Sequence, residues 1–258
     1  MGKNKLLRWA ELGTLDKVIQ PDASLTLGSD HAIKGKWKSE IFRNENPIIL
    51  ELGCGKGEYT LGLSEIFTER NFIGVDIKGA RLWRGAKTAS EKKLNNVAFL
   101  RTRIEFINCF FTVDEVDEIW IIFPDPYTGK RNSNKRLTCP WFLNTYRNFL
   151  KSKGIIHLKT DNKELYNYTR KLVTDNGLEL LFSTDDLYSS TLIDKTVLKE
   201  VYTCGEKCGS REQIPEKIFS IRTYYEKGFL KKGMTINYLA FRLDKNKTIF
   251  HGWEKTKE

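Results

Sequence analysis

The chain has 258 residues, 40% hydrophobic and 29% charged, with 43 Lys and Arg against 33 Asp and Glu for a net charge of +10. That length supports a full core, and the abundance of both signs excludes a disordered basic tail. The basic excess suits either a polyanionic partner such as nucleic acid or a merely basic soluble enzyme.

Residues 1–46 are polar and basic with little periodicity, and read as an arm with short helices. The domain proper runs from 47 to 258. Within it, PIILEL (47–52) is a short buried strand, and residues 58–69 carry Tyr59, Leu61, Leu63, Ile66 and Phe67 at helical spacing. NFIGVD (71–76) is a second strand, 79–93 a basic helix, VAFL (97–100) a third strand and EIWIIF (118–123) a fourth. An amphipathic helix is expected over 141–151, a strand over 154–161, a helix over 163–176, and late strands over 178–187 and 235–243. Strands alternating with helices predict an open, mostly parallel α/β sheet.

The start MGKNKLLRWAELG lacks the apolar core of a signal peptide, and Leu6 stands where a myristoylation signal after Gly2 needs Ser or Thr. No apolar run is long enough to cross a bilayer, so no membrane association is expected. The cysteines, Cys54, Cys109, Cys139, Cys204 and Cys208, are odd in number and irregular in spacing, which fits a reducing cytoplasm better than a disulfide framework. Cys204 and Cys208 lack the further ligands a zinc site requires, and His31, His157 and His251 show no ligand spacing, so no metal is expected. His157, Trp120 and Trp141 read as core residues.

ELGCGKGEY follows the first domain strand and opens a helix, where α/β sheets place ligand crevices. A dinucleotide fingerprint would need glycine at position 58, which is Glu58, and Lys56 is followed by Gly57 rather than the Ser or Thr of a phosphate loop. Glu51 and Glu58 would repel a pyrophosphate, but not a ligand carrying an ammonium and a sulfonium, such as S-adenosylmethionine. Asp76, at the next strand end, has acceptors for two ribose hydroxyls. Further on, Asp125 sits between Pro124 and Pro126 at a strand end, restricted by both rings. Lys130, Arg131, Lys135 and Arg136 behind it suit phosphates, and Tyr127 offers a stacking face.

ELGCGKG, GVDIKGAR, FPDPYTGKRNSNKRL, HLKTDN, TYYEKG and GMTINYLAFRL, with the opening MGKNKLLRWAELGTLDKVIQ, resemble the bacterial tRNA (guanine-N7-)-methyltransferases of the TrmB type over nearly the whole chain. The resemblance implies a class I methyltransferase, Rossmann-like fold with a mostly parallel seven-stranded sheet flanked by helices. It implies S-adenosylmethionine as methyl donor, and N7 of guanine at position 46 in the tRNA variable loop as acceptor. Carried over, Glu51, Gly53, Gly55 and Asp76 would hold the cofactor, with Asp125 as the active-site carboxylate that also faces it. Gly129, Lys130, Arg131, Lys135 and Arg136 would bind RNA, and Asp161 and the Thr223 to Glu226 stretch would contact the target nucleotide. The chain departs from the family where Arg103 replaces an Asp or Asn near the adenine, which then rests on backbone groups of Arg103 and Ile104. It also carries Tyr127 and Gly129 where the family often has Trp and Lys. No obligatory protein partner is expected. A methyltransferase acting on another RNA or a small molecule, and a non-catalytic RNA-binding subunit on the same fold, are the alternatives.

Overall fold

The computed structural model describes residues 3–21, 29–189 and 218–251. Cys204 and Cys208, Gly2 and the Lys130 side chain lie outside that description. The chain forms two compact units, the first from Met1–Trp120 with Asn148–Lys151, the second from Ile121–Arg147 with Ser152–Glu258.

In the first unit, β1 (Val18–Ile19), β2 (Ile48–Leu52), β3 (Asn71–Val75) and β4 (Val97–Leu100) run parallel in the order β1-β4-β3-β2. Every residue of β2, β3 and β4 is buried, which is why these strands read as continuous apolar runs and not as alternations. The helices are α1 (Lys3–Leu12), α2 (Glu58–Ile66) and α3 (Gly79–Glu91). The amino-terminal arm belongs to this unit. Leu12 of α1 is fully buried in a cluster with Leu82, Ala86 and Ala89 of α3 and Phe99 of β4. Glu11 accepts from Trp83 Nε1 and Lys87 Nζ at 2.8 and 2.9 Å, and the Arg101 guanidinium lies 4.6 Å over the Trp9 ring.

In the second unit, β6 (Leu150–Thr160), β8 (Asn237–Arg242) and β7 (Leu180–Thr184) are antiparallel neighbours in that order. β5 (Val116–Ile122) runs from the first unit into the second, where the Phe123 amide just past its end donates to Lys159 O at 2.8 Å. The helices here are α4 (Pro140–Tyr146), α5 (Lys163–Asp175) and α6 (Tyr224–Lys231). Asn162 caps α5 by accepting from the Leu165 amide at 2.8 Å.

Three expectations need correction. The described residues carry eight strands, because Val18–Ile19 in the arm pairs with β4. The helix expected to 151 stops at Tyr146, since Phe149 and Leu150 are buried and the chain is already extended as β6 from Leu150. Trp141 is 52% exposed: it occupies the first turn of α4, stacked edge-on against Phe142, and is no core residue.

Candidate active site

In the first unit the glycine loop joins β2 to α2. Gly53, Gly55 and Gly57 all have left-handed backbones, with φ of +76°, +57° and +68°, which side-chain-bearing residues rarely adopt. A Cβ on Gly53 or Gly55 would meet nothing within 4 Å, whereas one on Gly57 would strike the Phe99 ring at 2.7 Å. The first two glycines thus leave open space above the loop, and the third is a packing glycine. The Phe99 ring also comes within 3.0 Å of where Gly74 and Gly85 would carry a Cβ.

Two carboxylates hold this loop through main-chain amides. Asp76 accepts from Gly55 N at 2.8 Å with one oxygen and from Lys78 N at 2.7 Å with the other. Glu51, 5% exposed, accepts from the Thr60 amide at 2.7 Å and from its hydroxyl, both to Oε2. Thr60 lies in the first turn of α2, so Glu51 satisfies an amide that the helix itself cannot. Burial pushes the Glu51 carboxyl up to about 8, with Asp76 and Glu58 adding like charge, against the two Thr60 bonds. A group kept neutral for want of a counter-charge is a natural receptor for a cationic ligand. With the open glycines and the acceptors of Asp76, the residues present fit S-adenosylmethionine. Arg103 pairs with Glu105 at 3.1 Å, and Ile104 opens a short 3-10 helix whose first amides the helix leaves unused.

In the second unit, the PDPY loop follows β5, which ends at Ile122, so Asp125 lies in the loop and not at the strand end. Asp125 is exposed, and among the described residues it has no hydrogen bond or ion pair. Its neighbours Phe123 and Tyr127 have positive φ, +47° and +43°, strained conformations that cost on the order of 1–3 kcal/mol each. Arg136 holds the loop. Its guanidinium, 4% exposed, donates to Pro126 O and Tyr127 O at 3.1 and 3.2 Å, pairs with Glu164 and lies 4.4 Å over Tyr168. Arg136, expected to touch RNA phosphate, is a buried loop clamp here, its guanidinium paired with Glu164 inside the second unit. Glu164 also accepts from Gly129 N at 3.0 Å, and these two partners hold its carboxyl below the usual range. Gly129 (φ +83°) thus serves the turn. Arg131 and Lys135 remain exposed, Lys135 with its ammonium 5.9 Å from the Tyr127 ring centre.

Asp161 follows β6, half-buried, with burial pushing its carboxyl up. Thr223 and Glu226 form a capping box at the start of α6, Thr223 Oγ1 accepting from Glu226 N at 3.3 Å and Glu226 Oε2 from Thr223 N at 3.4 Å. Glu226 is fully buried: its Oε1 pairs with Lys159 Nζ at 2.7 Å and accepts from Tyr188 OH. Its Oε1 is thus doubly engaged, while its Oε2 holds the capping box. Lys159, Tyr188 and Glu164 were not singled out from the sequence. A Glu or Gln three residues after Thr223 was the available signal for the capping box; nothing local marks Lys159. His157, fully buried, shares a hydrogen with Tyr238 OH at 2.8 Å.

A family model described as "Putative methyltransferase" matches residues 45–213. A curated tRNA (guanine-N(7)-)-methyltransferase of Bacteroides fragilis (strain YCH46) is 45% identical over 94% of this chain and 87% of its own length. One of Christiangramia forsetii is 43% identical over 93% of this chain and 98% of its own. Among solved structures, an antibiotic-related methyltransferase aligns with a TM-score of 0.51 at 15% identity, over 79% of this chain and 90% of that one. A 30S ribosomal A1408 methyltransferase from an uncultured bacterium aligns with a TM-score of 0.51 at 17% identity, over 83% and 98%. The structural likenesses establish the fold, an α/β class I methyltransferase with a mixed, mostly parallel sheet.

Proposed function

We propose, from the premise that this chain belongs to the tRNA (guanine-N(7)-)-methyltransferase family, that its acceptor is N7 of the guanine at position 46 in the tRNA variable loop. The membership makes the chain a tRNA (guanine-N7-)-methyltransferase that uses S-adenosylmethionine. The observation that carries the reading is 45% identity spread over 94% of the chain.

When bound, the cofactor supplies an electrophilic methyl group on a sulfonium. Glu51 and Asp76 hold its charged and hydroxyl groups, and Gly53 and Gly55 leave room for it. Guanine N7 has a free lone pair, so no proton leaves before transfer, and the chain contributes position and charge balance. Asp125, unpaired and set between two prolines, accepts from N1–H and the exocyclic amine of guanine, which selects guanine over adenine, and offsets the positive charge the purine gains. Asp161 adds a second acceptor. Arg131 and Lys135 contact phosphates without reading bases, and the target base turns out of its tertiary contacts to be reached. The enzyme works in the cytoplasm without an obligatory protein partner, a reading supported by cysteines odd in number and irregular in spacing.

Incubation with methyl-labelled S-adenosylmethionine and unmodified tRNA, followed by mapping of the labelled base, tests the reading. Label at N7 of guanine 46 is expected. Label on another nucleotide overturns the position, and label on a small molecule but no RNA overturns the substrate class.

A further inference from the structure

We propose that Lys159 is a positioning residue for the methyl acceptor, fixing the Asp125 loop and the start of α6 from inside the second unit without touching substrate. This rests on the reading above of Asp125 and Asp161 as acceptor-side groups. Lys159 lies near the end of β6, two residues before Asp161, with a fully buried side chain. Its carbonyl accepts from the Phe123 amide at 2.8 Å, the point where the chain leaves β5 for the PDPY loop. Its ammonium pairs with Glu226 at 2.7 Å and donates to Tyr188 OH at 3.3 Å, while Tyr188 also donates to Glu226 and carries the Arg222 guanidinium 4.6 Å over its ring. Glu226 completes the capping box of α6, and Phe229 of that helix lies against Phe123, ring centres 5.7 Å apart. One residue thereby links the loop of Asp125, the strand end of Asp161 and the helix start at Thr223.

A buried ion pair is a poor device for stability alone, because desolvation offsets most of the attraction and apolar replacement is often neutral or better. Its charges do impose one arrangement, since each must find the other. At a point where three acceptor-side segments meet, that specificity is geometric: the main-chain carbonyl holds the Asp125 loop at Phe123, and the ammonium, through Glu226, sets the start of α6, whose Phe229 packs on Phe123.

The test is the double variant Lys159→Met with Glu226→Gln, which removes both charges together and keeps a capping-box residue at position 226. It is expected to unfold at a temperature close to that of wild type and to bind S-adenosylmethionine unchanged. It is also expected to lose roughly a hundredfold in tRNA turnover, mainly in kcat, the scale of a 1 Å misplacement. Amide exchange is expected to quicken at Phe123 and Glu226, a readout that needs no RNA and so stands apart from the identity of the acceptor. Tyr188→Phe, which keeps the ion pair and removes one link to Glu226, is expected to lose about tenfold, the worth of one charge-assisted hydrogen bond. Wild-type turnover in either folded variant, or unaltered exchange at Phe123, overturns the proposal.

Discussion

The two units handle charge in opposite ways. In the first, Glu51 and Asp76 are bound by backbone amides of Thr60, Gly55 and Lys78, so each carboxyl group shapes main chain. In the second, Arg136 with Glu164 and Lys159 with Glu226 bind one another. The single carboxylate left unengaged in the PDPY loop is Asp125. The lesson is that acidic residues of one chain fall into two kinds, those held by neutral dipoles and those held by countercharge, and only the first kind survives loss of a partner without stranding a charge.

That contrast sets the order of expected effects. Glu226→Ala strands the Lys159 ammonium in a fully buried site, and is expected to lower unfolding free energy by about 3–5 kcal/mol in denaturant titration; a loss under about 1 kcal/mol would erase the contrast. Asp125→Asn strands nothing, so stability and cofactor affinity are expected to hold while tRNA turnover falls roughly 10²–10³-fold, the scale of one preorganised electrostatic group. Near-normal turnover would place the acceptor-side charge elsewhere, with Asp161 next in line.

Glu51 sharpens the comparison through pH. Its folded value of about 8 lies above the unfolded carboxylate range, so between about pH 4.5 and 8 the folded chain keeps a proton that the unfolded chain has lost. Stability of the cofactor-free protein is therefore expected to fall as pH rises through that window, by about 1.4 kcal/mol for each pH unit over which the proton is retained. Glu51→Gln should flatten the melting temperature against pH; an equally steep profile in the variant would show that other groups dominate. The smallest effect concerns the exposed cations. Replacing Arg131 and Lys135 by Ala is expected to reduce the slope of log affinity for tRNA against log salt by roughly 1.4–1.8, about 0.7–0.9 per contact. An unchanged slope would make them a solvated face and move the phosphate surface to the amino-terminal arm, with Arg8 the first residue to replace.

The cofactor side was legible because its determinants are local. Three glycines within five positions, preceded by a buried strand and followed by a helix, need no distant residue to be interpreted, and Asp76 directly follows the strand beside them. The acceptor side was legible only in outline. Arg131, Lys135 and Arg136 form one basic run, and what sends Arg136 inward is Glu164, 28 residues later, together with the Tyr168 ring. Nothing local marks Lys159: β6 is buried on consecutive positions there, and the lysine's charge is met by a residue of α6. The short arm strand escaped notice because two residues carry no period at all.

The Phe99 ring lies under three glycines, Gly57, Gly74 and Gly85. Those three neighbours have no rotamers with which to refill the space if the ring is removed, so on their side a hollow would stay open, while Leu12 and Leu82 of the same cluster can move. Hollows bounded by rigid apolar walls stay dry and accept benzene or xenon. The cofactor loop could accordingly be loosened by truncating Phe99 and retightened by a dissolved hydrocarbon, turning a packing contact of the core into a chemically addressable control on methyl transfer.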